Sequence, residues 1–367
     1  MVSRLFSWAL TILRLVSGDA RNSRRERSFY QPTSGATLEV RGRFRPIRLP
    51  LSFAAALVLA AVAAPGASAA DTTLATDPIA QRVTALAGTV VWVSGRFPNQ
   101  TLMQHTASGT APVKGAPRRT YTSIDLGRDA GNRLLLTYLR CVGTRRCLAF
   151  RDDLKGHRTV VRSLALKRCS LTTAPSVWRT RTAFGLACTK GTGSLRRNDP
   201  RRSGLYVKTA AGATGRLPLP TDAVKFGINR ISLVDLRSTA VAAVAADVFE
   251  YAFTQTIAGK QRRSFLAAAS EGDSNEEVRG LALGSGGAMW TLVDSEHAGD
   301  PNLAIIHRLT GACLDSERLP NLPGDDEESG FRAVGLAADG RTLHLAVPDL
   351  GIVTHPFEPE GACREIG

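Results

Sequence analysis

The last third of the chain states one pattern twice. VRGLALGSGGAMWTLVDS, from Val278, and FRAVGLAADGRTLHLAVPD, from Phe331, match at an offset of 53: Arg279 with Arg332, Leu283 with Leu336, Gly287 with Gly340, Leu292 with Leu345. Each is an extended stretch, a glycine turn and an alternating apolar strand. Each then runs through another strand (LAIIHRL, GIVTHPF) into the tripeptide Gly-Ala-Cys, at 311–313 and 361–363. Looser copies precede them. ALAGTVVWVSG turns at Gly88, SIDLGRDAGNRLLLTYLRC near Gly131, APSVWRTRTAFGLAC near Thr180 and SLVDLRSTAVAAVAA near Ser238. From Gly88 to Gly340 there are 252 residues over five intervals, a mean near 50.

Period-2 alternation between glycine turns is strand chemistry. AVAAVAA would suit a helix by propensity, but its place in the repeat assigns it to a strand. Further strands follow at CLAFRDDL, SGLYVKTA and FEYAFTQT. A unit of four such strands has two apolar faces and cannot bury both alone; packing between two neighbours around a ring does so. The sequence therefore predicts an all-β chain, a six-bladed β-propeller of four-stranded antiparallel blades over residues 80–365. A pair of packed sheets is the competing architecture.

These units, with their glycine turn, aromatic-bearing strand and paired cysteines, resemble the six-bladed TolB-like β-propeller group, and more closely its exported members of unassigned role in high-GC bacteria. The resemblance covers most of residues 80–363. It implies the fold and transfers no catalytic residue, because the group has no shared catalytic set.

Ahead of the repeats stands RGRFRPIRLPLSFAAALVLAAVAAPGASAAD. A basic segment (Arg41, Arg43, Arg45, Arg48), a 16-residue apolar run from Leu49 to Ala64, a Pro65-Gly66 break and Ala67-Ser68-Ala69 are the three parts of a secretory signal peptide in order. The run is short of the roughly 20 residues a membrane span needs. Residues 41–69 are thus read as a signal cleaved to leave Ala70 or Asp71 first, with no span in the mature chain. Residues 1–40 read as a mis-called or disordered leader. The expected location is secreted or cell envelope, and the expected state is monomeric.

The whole chain carries +15, but residues 1–69 hold ten arginines against three acids, which leaves +8 for the remainder. That weakens the case for nucleic acid as a partner, and export argues against it. All six cysteines fall after the leader, and an even count in an exported chain indicates disulfides. Spacing pairs Cys141 with Cys147 across a hairpin turn, and Cys169 with Cys188 at the open end of another. Cys313 and Cys363 pair by elimination, against ring geometry, provided the C-terminal tail bends back.

Catalytic patterns are missing. There is no G-x-S-x-G elbow, and the six histidines (His105, His157, His297, His307, His344, His355) form no ligand pair. The acid run Asp325–Glu328 is contiguous, whereas a calcium loop alternates its ligands. No catalytic residue, metal or cofactor is assigned. Basic doublets recur at Arg118-Arg119, Arg145-Arg146, Arg196-Arg197, Arg201-Arg202 and Arg262-Arg263; sharing one rim, they would suit an acidic polymer. Trp92, Trp178 and Trp290 are expected to pack between blades. Two functions stand. The first is a binding or scaffold protein presenting one face to a protein, peptide or envelope polymer. The second is a polysaccharide-acting enzyme, glycosidase or lyase, with carboxylates such as Asp125, Asp235 and Asp294 converging in a central channel.

Overall fold

The computed structural model describes residues 71–142, 146–161, 164, 166–191, 197–270, 274–297, 303–319 and 333–366. The predicted leader and signal, the acid run 325–328, Arg145 and Arg196 lie outside them. Among the described residues no helix is long and apolar enough to cross a membrane.

After β1 (Thr72–Thr76) the chain builds a first sheet from β2 (Ala80–Leu86), β3 (Thr89–Ser94), β4 (Thr101–Thr106) and β5 (Gly109–Pro112). Next come β6 (Tyr121–Arg128), β7 (Leu134–Val142), β8 (Arg146–Asp152) and β9 (Arg158–Val160). The third set is β10 (Cys169–Leu171) and β11 (Ser176–Trp178) on one edge of β12 (Arg181–Lys190), with β13 (Arg197–Asn198) and β14 (Gly204–Lys208) on its other edge and β15 (Thr214–Arg216) outermost. A short helix, α1 (Thr221–Lys225), leads to β16 (Ile231–Arg237), β17 (Ala240–Ala246), β18 (Phe249–Thr256) and β19 (Arg263–Ala269). Then follow β20 (Ser274–Leu283), β21 (Met289–His297), β22 (Leu303–Thr310) and β23 (Cys313–Leu319). The last strands are β24 (Gly335–Asp339), β25 (Thr342–Val347), β26 (Gly351–His355) and β27 (Arg364–Glu365).

Hydrogen bonding groups these strands into five sheets, not six separate ones. The second and third sets merge into a ten-stranded sheet through a single parallel bridge, Trp178 to Arg128. Gly127 permits that approach: a Cβ there would lie 1.9 Å from the Val177 carbonyl oxygen. The arrangement is propeller-like. First strands meet around a closed circuit: β2 packs on β24 and β6, β20 on β24 and β16, and β11 on β16 and β6.

Alternation decides which neighbour each residue meets. Val241, Ala243 and Ala245 of β17 join one apolar cluster, with Leu205 and Val207, while Ala242, Val244 and Ala246 join the next, with Met289 and Val293. Both faces of a middle strand are thus buried, as the repeat requires. Trp92 and Trp290 sit on second strands, β3 and β21, and pack in separate clusters between sheets.

The ring closes in a way the predicted boundary at residue 80 misses. β1 pairs antiparallel with β26, so the N-terminal strand completes the last sheet. The cysteines form three disulfides. Cys141–Cys147 spans the β7–β8 hairpin and Cys169–Cys188 ties β10 to β12, each with Cα atoms 4.0 Å apart. Cys313–Cys363, with Cα atoms 5.5 Å apart, holds β27 against β23. Equivalent positions in neighbouring units do meet here, because the tail turns back onto the preceding sheet.

Candidate functional site

Five first strands, β2, β6, β16, β20 and β24, line an axial channel with a free volume of about 60 Å³, room for a few waters. Where these strands begin, the channel opens into a mouth of about 700 Å³, within the range of ligand sites.

The mouth is shaped by one irregularity repeated in four units. Between Gln81 and Val83 in β2, Tyr121 and Ser123 in β6, Ile231 and Leu233 in β16, and Val278 and Gly280 in β20, the register skips a residue. A bulge leaves its extra residue out of the ladder and re-aims its side chain. The four extra residues are Arg82, Thr122, Ser232 and Arg279, and all four line the mouth. In the third set the break between β10 and β11 brings Thr172 there as well. Five units thus contribute two guanidiniums and three hydroxyls. Thr172 Oγ1 and Ser232 Oγ are buried with no hydrogen-bond partner among the described residues.

Sequence reasoning missed this set, although the chain carries its trace. Buried and packing apolar residues fall at i, i+3, i+5: Ala80, Val83, Ala85; Tyr121, Ile124, Leu126; Ile231, Val234, Leu236; Val278, Leu281, Leu283. The odd first step is a phase slip in an otherwise period-2 pattern.

Four arginines and three acids wall the mouth: Arg82, Arg96, Arg230 and Arg279 with Glu250, Glu277 and Asp349. Arg279 is engaged, 2.8 Å from Glu277 Oε2 and 3.4 Å from Asp294 Oδ2. Arg82, Arg96 and Arg230 are exposed and make no hydrogen bond or ion pair among the described residues. Desolvation lowers the Arg82 pKa, and Glu277 opposes that shift. Glu250 Oε2 accepts the Val278 N–H at 2.5 Å. Burial, with Glu277 adding to it, pushes the Glu250 carboxyl up to about 7.

The carboxylates singled out in the sequence divide. Asp125 and Asp235 do converge, in the narrow channel below the mouth. Asp235 Oδ2 accepts the Leu283 N–H at 2.7 Å, and Oδ1 lies 3.4 Å from Arg237 Nε. Arg237 in turn donates to the carbonyls of Leu126 and Ala85 and lies over the Trp178 ring. Burial first, and Asp235 second, raise the Asp125 pKa well above its ordinary value. Asp294 is buried behind Arg279 and does not line the channel.

The other singled-out residues lie elsewhere. Trp92 Nε1 donates to Asp77 Oδ2 at 2.7 Å, a packing and anchoring role. Among the described residues no histidine lines the mouth; His355 instead bridges Asp71 at 2.7 Å and Glu317 at 3.0 Å. Of the basic doublets, Arg118-Arg119 and Arg201-Arg202 fall in connections at the end of the sheets where the first strands begin, the mouth end, and Arg197 opens the two-residue β13 there. Arg262-Arg263 falls at the opposite end, Arg262 closing the β18–β19 connection and Arg263 opening β19, and Arg262 donates to the Leu219 carbonyl.

No family model matches the sequence, and no curated protein matches it. Solved structures similar to it include virginiamycin B lyase from Staphylococcus aureus, solved with quinupristin (TM-score 0.43, 12% identity, 76% of this chain and 80% of that one). PorZ, a surface component of the type-IX secretion system of Porphyromonas gingivalis, gives 0.41 at 13% identity over 81% of this chain, which spans 39% of PorZ. The SapL1 lectin, solved with α-methyl fucoside, gives 0.40 at 9% identity, covering 79% and 98%. Similarity at this level assigns no function.

Proposed function

We propose that the chain is a binding module, an extracytoplasmic propeller that presents its mouth face to a protein, peptide or envelope polymer. One observation carries the reading: a 700 Å³ mouth walled by polar side chains stands above a channel with only about 60 Å³ of free volume. A partner has room in the mouth, while the paired acids lie where a sugar chain has none. In this reading the ten-stranded sheet is two blades joined by one bridge, and the ring has the six blades that the TolB-like resemblance implies. Three disulfides accord with export.

The test is cross-linking of the full chain to envelope material, comparing the native sequence with Ser232→Trp, which fills the mouth, and Arg133→Gln, on an exposed turn at the far end. Capture lost only in Ser232→Trp supports the reading; capture indifferent to it ends the reading. The Asp125–Asp235–Arg237 cluster favours a second reading, a polysaccharide-acting enzyme. Cleavage of an envelope glycan that disappears in Asp235→Asn would replace binding with catalysis.

A further inference from the structure

We propose that the mouth shaped by the bulged residues is an oxyanion receptor whose ligand is a short acidic peptide segment of the partner, its carboxylates taken by Arg82, Arg96 and Arg230 and by the hydroxyls of Thr172 and Ser232. This rests on the binding reading above and names the chemistry of the ligand.

Three observations combine. First, the three guanidiniums facing the mouth make no hydrogen bond or ion pair among the described residues, although the charge of Glu277 reaches Arg82 and that of Glu250 reaches Arg230; the acids beside them are largely accounted for. Glu277 is held by Arg279 at 2.8 Å, and Glu250 accepts the Val278 N–H. Asp349 stands at the rim. A guanidinium offers a planar fork of donors that matches a carboxylate. Second, two buried hydroxyls of residues that line the same cavity are without partners among the described residues, and a buried polar group left unpaired is costly. Both oxygens are closed off from solvent as they stand, and a rotamer change on binding would turn them to an anion's oxygens. Third, the feature is built in repeatedly. Four separate units spend a ladder position to place a side chain there, and bulges gather where a side chain must be re-aimed at a site.

The apolar part of the wall decides the ligand class. Among the described residues, Ile79, Leu233, Val278 and Val334 line the mouth and no aromatic ring does. A sugar would be expected to stack on rings. Inorganic or polymeric phosphate has no use for an aliphatic wall. A peptide carrying carboxylates and aliphatic side chains within a few residues matches both parts.

The probe is a fluorescein-labelled octapeptide of alternating glutamate and leucine, titrated by anisotropy against the full chain at about 0.15 M salt, where exposed charges beyond ~8 Å are screened. Comparators are the same peptide with glutamine for glutamate, an oligogalacturonate and a short polyphosphate. Saturable binding of the acidic peptide alone is expected. It should weaken about tenfold for Arg82→Gln and again for Arg230→Gln, recover in part for Arg82→Lys, and weaken for Ser232→Ala. Arg133→Gln should leave it unchanged, and urea midpoints identify any variant that fails to fold. Equal binding of the glutamine peptide, better binding of either other anion, or indifference to Arg82→Gln and Arg230→Gln in folded protein overturns the inference. If Ser232→Trp abolishes envelope capture while the acidic peptide does not bind, this inference fails and the binding reading stands. If capture ignores Ser232→Trp, both fail.

Discussion

Glu250 is the residue whose surroundings bear most on measurable behaviour. It is the second residue of β18 and lines the mouth, and its carboxyl is pushed up to about 7 because burial disfavours its charge and Glu277 adds repulsion. Arg279 and Arg230 oppose the shift. The unfolded chain would release this proton near the ordinary glutamate value, so between roughly 4.5 and 7 the folded state holds a proton that the unfolded state does not. Stability from this group is therefore full at low pH and falls as pH rises through that window, by about 3 kcal/mol once both states are ionised. Glu250→Gln keeps an acceptor for the Val278 N–H and removes the titration. Its urea midpoint relative to wild type should rise between pH 5 and pH 8; two midpoints that track in parallel would contradict the assignment. The same protonation should make the mouth a better anion receptor at pH 6 than at pH 8, and Glu250→Gln should flatten that difference.

At the scale of elements, what the sequence made legible is what repeats with period two. Gly88, Ser238 and Gly340 mark hairpin turns, and the middle strands, AVAAVAA included, alternate between two cores as their pattern demands. The bulges were not legible, because one skipped residue in a seven-residue strand resembles noise until register data expose the shared i, i+3, i+5 spacing. The merger of two sheets was hidden too. It depends on Gly127 lying against Val177, a contact between units that no local pattern encodes. That contact gives a direct prediction. Gly127→Ala would put a Cβ 1.9 Å from a backbone oxygen, so one strand must move. The expected loss is about 3 kcal/mol or more, comparable with overpacked cores. Gly215→Ala, with nothing within 4 Å of the added Cβ, should be close to neutral. Urea midpoints for the pair settle it, and equal midpoints would mean that the two sheets are not so closely joined.

Across the whole molecule, the ring is held shut by residues nearly three hundred positions apart. β1 pairs with β26, and the contact is reinforced where buried His355 lies between Asp71 and Glu317, whose other oxygen accepts the Glu358 N–H. Burial alone would lower the His355 pKa, but the hydrogen bonds and charges of Glu317 and Asp71 together outweigh it and raise the value. A histidine raised in the folded state contributes stability that is full below its unfolded value near 6.5 and is lost as pH climbs through the folded one. The closure should therefore be firm in mildly acidic conditions and loosen in alkaline ones. Amide exchange reads this directly: Thr72 to Thr76 should open more readily at pH 9 than at pH 6, after correction for the intrinsic pH dependence of exchange. In His355→Asn, which can keep one hydrogen bond but carries no charge, the strand should exchange faster at pH 6 and show little further change at pH 9. Asp71 ties this to processing. A signal cleaved after Ala69 or Ala70 leaves the Asp71 carboxylate in place, so N-terminal sequencing of exported protein should read Ala70 or Asp71. A chain trimmed past Asp71 should behave like Asp71→Ala, with β1 exchanging faster at pH 6 than in the intact protein. If His355→Asn and the trimmed chain both match wild type at pH 6, the bridge does not hold the ring, and closure rests on the β1–β26 ladder alone.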